Sequence, residues 1–159
     1  LGILAGAGFT AVIQSSSASV GILQALANSG VIGLSSAVFV LFGQNIGTCI
    51  TAVLASIGTS RSAKRATIIH LMFNVIGTVI FTFLFILFPI AHVIDGQIPV
   101  AGLSGILTSI TAGEIELVDI SFNIVTTLLL LPLGNYLAKA AVRILSDRPG
   151  DEVEQMNLE

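Results

Sequence analysis

The chain has 159 residues, of which 54% are apolar and only 9% charged. Soluble domains carry roughly 25% charged residues, so this composition excludes an ordinary water-soluble enzyme or binding module and belongs to a chain solvated by lipid. The net charge of −3 implies no nucleic-acid partner, and the lone Cys49 can form no internal disulfide.

Residues 1–60 contain no Asp, Glu, Lys, Arg or His. A straight spanning helix needs roughly 20 apolar residues, so this stretch can cross a bilayer twice, or dip in, return and cross once. Residues 1–13 and 18–30 are apolar, rich in small residues and each too short to span. They flank Gln14, Ser15, Ser16 and Ser17 in "GFTAVIQSSSASVGIL". Two short apolar segments around a tight polar turn predict a re-entrant helical hairpin over residues 1–30, which enters halfway and comes back out. Asn28-Ser29-Gly30 marks its exit turn. Residues 33–58 are long enough to span. In their middle, Gly43-Gln44-Asn45-Ile46-Gly47-Thr48 predicts a helix broken near Gln44 and Asn45. Irregular backbone at that depth is tolerated only inside protein or against a cavity.

Residues 59–65, "TSRSAKR", read as a short basic loop, and residues 66–88 as a spanning helix ending at Pro89. Residues 90–116, with Asp95, Glu114 and Glu116, form a less hydrophobic connection. Its second half, "VAGLSGILTSITAG", suggests a short interfacial helix. Residues 118–141 form the last spanning helix, kinked at Pro132. Residues 146–159 are a polar acidic tail, disordered or a linker. Arg61, Lys64 and Arg65 lie in one basic region, Lys139, Arg143 and Arg148 in another, and the 90–116 connection has no Lys or Arg. The positive-inside rule then makes the C-terminus cytoplasmic and the connection external, with the hairpin entering from outside. Leu1 is not a start methionine and no signal-peptide pattern follows it, so the chain reads as a fragment of a larger membrane protein. "HLMFNVIGTVIF" (70–81) also echoes "DISFNIVTTLLL" (119–130), in helices that would run in opposite directions.

The polar run at the hairpin tip admits two readings: an ordinary loop, or a site. A helix that starts after the turn aims its free N–H groups and positive dipole end at the tip. Such a tip holds an oxyanion without Arg or Lys, and its carbonyl and hydroxyl oxygens suit sodium. Gln44, Asn45 and Thr48 supply the same groups a second time. Their bland alternative is a GxxxG packing contact for a neighbouring helix, against which Asn45 speaks, since a mid-membrane amide needs a partner. A short hairpin and a broken helix together match the sequence pointer to a transporter binding site. His70 reads more readily as a hydrogen-bonded interface residue than as a proton relay, with Asn74 one turn on. Asn123 is expected to bond a neighbouring helix. Asp119 is expected near the external end, within reach of water. Gly2 and Gly6 read as helix packing, Cys49 and the phenylalanines as filler, and His92 as a loop residue. A serine hydrolase built on Ser16 and His70 lacks a GxSxG context. A passive anion channel uses the same hydroxyl and amide linings.

At "TAVIQSSSAS" together with "GQNIGTCITA", the sequence resembles the type II sodium/phosphate cotransporter family, especially its bacterial members, over residues 6–137. Members carry two inverted repeats, each with a QSSS hairpin and a following broken helix. This chain has one QSSS, and "GQNIGT…AKRA…HLMFN" looks like the second repeat, with the N-terminal repeat missing. Before the last helix the family often has a His three residues ahead of the Phe-Asn, where this chain has Asp119. The resemblance implies a multi-pass inner-membrane protein, not an enzyme, that takes up inorganic phosphate with sodium by alternating access. It assigns phosphate to Gln14, Ser15, Ser16, Ser17 and Asn45. It assigns sodium to Gln14, Ser17, Gln44, Asn45, Thr48 and Thr51. Sodium is then a coupling ion and no cofactor is expected. The expected partners are the lipid bilayer, the missing repeat, a second copy in a homo-oligomer and a PhoU-like regulatory domain. The runner-up is a sodium-coupled carrier of another small oxyanion or carboxylate.

Overall fold

A computed structural model describes residues 1–88 and 115–147. Residues 90–114 of the expected 90–116 connection, with His92, Asp95, Glu114 and the interfacial helix, lie outside the described residues, as do residues 89 and 148–159, whereas Ile115 and Glu116 are helical. Every described element is helical: α1 (Gly2–Ile13), α2 (Ser16–Asn28), α3 (Leu34–Ala55), α4 (Arg61–Leu87), α5 (Ile115–Leu130), a 3-10 turn (Leu131–Leu133) and α6 (Gly134–Ile144). Three apolar stretches are long enough to cross a membrane: α3, α4, and α5 with α6 as one 30-residue span, Ile115–Ile144. Val79, Phe83 and Ile86 on α4 and Leu128 on α5 stand exposed, the surface expected of helices whose solvent is lipid.

α3 is the centre of the fold. α1 lies parallel to it at backbone contact. A Cβ at Gly6 would overlap the Val40 carbonyl, one at Gly43 the Ile3 carbonyl, and one at Gly47 the Ala7 carbonyl. Small residues permit such close approach between apolar helices. This accounts for the main departure from expectation: α3 runs unbroken through Gln44 and Asn45. Gly43 and Gly47 do not interrupt the helix; they make room for α1. Gly6 packs as expected. α2 returns antiparallel along α3, burying Leu23 and Ala27 against Ala37, Leu41 and Ile115. It ends where Gly30 takes a left-handed φ of 73° and the Gly30 and Val31 N–H groups close onto Ala27 and Leu26.

α4 starts earlier than predicted. Ser60 caps it by accepting the Ala63 N–H at 3.3 Å, so Arg61, Lys64 and Arg65 lie in its first turns and not in a loop. Cations are unfavourable at a helix N-terminus, but here they reach the opposite pole of another helix. Arg65 donates to the Leu145 carbonyl at 3.0 and 2.8 Å and pairs with Asp147 at 2.7 Å. Arg61 donates to the Ser146 carbonyl. The two basic regions therefore share one end of the bundle. The phenylalanines are not filler: Phe39, Phe42, Phe81, Phe85 and Phe122 interlock with ring centroids 5.0–6.2 Å apart where α3, α4 and α5 meet. Pro132 falls in the 3-10 turn that separates α5 from α6, since proline removes a helical N–H and clashes with the preceding turn.

Candidate functional site at the hairpin turn

α1 stops because Gln14 adopts a left-handed conformation, φ 57° and ψ 24°, the only described non-glycine residue with positive φ. Its N–H closes onto the Thr10 carbonyl at 2.7 Å. Ser15 is the extended N-cap of α2, and its hydroxyl accepts the Ala18 N–H at 3.4 Å. The polar turn is thus two residues long, and Ser16 and Ser17 form the first turn of α2. The first bond of that helix is Ser19 N–H to the Ser15 carbonyl at 3.0 Å. The N–H groups of Ser16 and Ser17 precede it and have no acceptor in their own helix. Residues 14–17 are all exposed in this chain.

Two contacts fix the turn against α3. Thr10 packs on Gly47, and the Gln44 amide donates to the Ser19 carbonyl at 3.0 Å. One helical turn beyond both, residues 14–17 come level with Thr48 and Thr51. The Thr48 hydroxyl donates to the Gln44 carbonyl at 2.9 Å and the Thr51 hydroxyl to the Thr48 carbonyl at 2.8 Å. Each hydroxyl proton is therefore committed to its own helix, which leaves the oxygen lone pairs to accept. Gln44 is buried, and its Oε1 has no hydrogen-bond partner; nor do the buried hydroxyls of Thr10 and Ser19. Buried polar atoms without partners are rare and call for water, an ion or a second element. Three oxygens in that state, one on each of α1, α2 and α3, lie beneath the turn.

Asn45 does not join this group. Its Nδ2 donates to Asp119 Oδ1 at 2.9 Å, and Asn123 Nδ2 reaches the same oxygen at 3.3 Å. Asn123 bonds within its own helix, also donating to the Asp119 carbonyl at 2.9 Å, and not to a neighbour as expected. Asn74 repeats this last bond on α4, donating to the His70 carbonyl at 3.0 Å and to Cys49 Sγ at 3.3 Å. The echo between the two helices is thus a shared local hydrogen bond, carried on antiparallel helices that meet where Gly77 faces Phe122 and Thr126. His70 is exposed, and no hydrogen bond joins it to Ser16 among the described residues. Asp119, five residues into the span Ile115–Ile144, is half-buried and its carboxylate meets the middle of α3 at Asn45. Ile115 is buried and donates its N–H to Gln24 Oε1 at 2.5 Å.

Sequence reasoning missed Thr10 and Ser19 and discounted Asp119 and Asn123. A signal existed for the first two. Thr10 lies four residues before Gln14 and Ser19 four after Ser15, the spacing that stacks side chains on one helix face.

Comparison with known proteins identifies the family of the chain. The sequence model of the Na+/Pi-cotransporter family matches residues 1–96. The chain is 39% identical over 133 residues to uncharacterized protein YqeW of Bacillus subtilis, covering 84% of this chain and 39% of that protein. It is 42% identical over 81 residues to human sodium-dependent phosphate transport protein 2C, covering 48% of this chain and 14% of that protein. It is 26% identical over 149 residues to the Salmonella typhimurium protein named "Putative inorganic phosphate export protein YjbB", covering 94% of this chain and 25% of that protein. The chain thus spans well under half the length of these relatives, and no solved structure matches it. With the QSSS turn set against the GQNIGT segment of α3, three membrane-length apolar stretches, and a family match over more than half its length, the chain belongs to the Na+/Pi-cotransporter family.

Proposed function

We propose that the protein containing this chain couples sodium to the transport of inorganic phosphate by alternating access, and that the turn between α1 and α2 is half of its substrate site. The unbonded N–H groups of Ser16 and Ser17 at the start of α2 support this reading most directly. Together with the serine hydroxyls they form an anion cradle that needs no fixed positive charge. Gln14 adds to the argument. A left-handed residue with a side chain is strained relative to glycine, so the side chain at that position serves a purpose beyond the turn, as a ligand to the anion or its counter-ion. The hydroxyl oxygens of Thr48 and Thr51, level with the turn, and the Gln44 side-chain Oε1 supply hard ligands for sodium. Sodium beside the anion offsets its charge, and the partly neutralised pair can cross the apolar interior when the site changes access. The second repeat of the full protein, a cytoplasmic C-terminus and an inner-membrane location belong to the same proposal.

The test is radiolabelled phosphate uptake into proteoliposomes holding the full-length protein, with and without an inward sodium gradient. Accumulation above equilibrium with the gradient, reduced at least about tenfold by Ser16→Ala or Gln14→Ala, is the expected result. Uptake that only equilibrates, indifferent to sodium, identifies a channel instead. The likeness to a protein named for phosphate export supports a second reading with the same site and the opposite net direction. Loading phosphate inside the vesicles and reversing the sodium gradient separates the two.

A further inference from the structure

Asp119 is a carboxylate in a membrane-spanning stretch, and ionisable groups there are costly enough to mark function by default. Its surroundings are unusual in sign. Among the described residues no basic side chain pairs with it: Arg61, Lys64 and Arg65 lie at the start of α4, and Lys139 and Arg143 on α6. The contacts it makes are two neutral amides, Asn45 at 2.9 Å and Asn123 at 3.3 Å, both donating to Oδ1. Both donors are neutral, and the charged group that acts on Asp119, Glu116 on the same helix, is also acidic. Oδ2 and the side-chain oxygens of Asn45 and Asn123 accept no hydrogen bond among the described residues. The cluster therefore offers three such side-chain oxygens, drawn from α3 and α5.

We propose that Asp119, set between Asn45 and Asn123, is a ligand for a sodium ion that travels with the anion. Oxygen ligands with a net charge of −1 suit a hard monovalent cation. Asn45 ties the cluster to α3 one turn before Thr48. This inference rests on the sodium-coupled reading above and deepens it by naming a ligand outside the QSSS and GQNIGT segments.

The experiment measures radiolabelled sodium binding to the purified full-length protein without phosphate, beside phosphate uptake, for the wild type, Asp119→Asn and Asp119→Glu. Asp119→Asn keeps the shape and both amide neighbours and removes the charge. The expected result is one fewer sodium bound in Asp119→Asn, with partial return in Asp119→Glu. In uptake, the sodium concentration for half-maximal rate rises about tenfold, the change a lost ligand worth ~1.4 kcal/mol produces. Equal sodium binding by a monodisperse Asp119→Asn protein overturns the inference while leaving sodium-coupled phosphate transport intact. Uptake driven by a pH gradient, indifferent to sodium and lost in Asp119→Asn, also overturns it. Sodium binding that depends on Asp119 in a protein that does not accumulate phosphate sinks the phosphate reading and leaves this one standing.

Discussion

Gly43 and Gly8 are two glycines in apolar helices with opposite roles. A methyl group at Gly43 would sit inside the Ile3 carbonyl, while one at Gly8 meets nothing within 4 Å. Gly43→Ala should therefore force α1 off α3 and cost about 1–3 kcal/mol, the usual range for overpacking. Gly8→Ala should be neutral or stabilise by about 0.5–1 kcal/mol through helix propensity. Thermal unfolding midpoints of the two variants of the full-length protein in detergent measure the difference. Opposite signs are expected, and equal loss in both contradicts the assigned contact. The same pair shows where reading from residues stops. A glycine in a helix carries the same letter whether the chain breaks there or another backbone comes close, and only the position of α1 decides. So the GQNIG segment was legible as special, but the break expected of it was not its meaning. Asp119 is a similar case. Its place in a span was legible, whereas its contact with Asn45 depends on how α5 packs against α3.

Among the elements, the helical character and the three membrane-length apolar stretches were legible because their lengths follow the apolar runs, and the interruption at Pro132 stands where the proline puts it. The start of α4 was misplaced, because basic residues were read as loop when Ser60 supplies a cap and α6 supplies their acceptors. This contact makes a prediction about elements. Arg65 holds the last carbonyl of the α6 end and Asp147 together. Arg65→Gln should release that end, raising amide hydrogen exchange at residues 143–147 several-fold with little effect on α3. The partly exposed ion pair contributes no more than about 1 kcal/mol to global stability, so the unfolding midpoint should barely move. A large drop in the midpoint would mean that this clasp supports the fold as a whole.

At the scale of the molecule, α1 and α3 meet backbone to backbone through Gly6, Gly43 and Gly47, without intervening side chains to slide or change rotamer. A Cβ at Gly2 would lie 3.3 Å from that of Phe39, close to the spacing that a disulfide needs. The double substitution Gly2→Cys with Phe39→Cys should cross-link on mild oxidation and leave phosphate transport within about twofold of the reduced form, because a bond between parts that never separate restrains nothing. Loss of transport on oxidation would show that the two helices part during the cycle. Meshed as they are, the hairpin arm and α3 behave like a key and its bow: whatever turns the one turns the other.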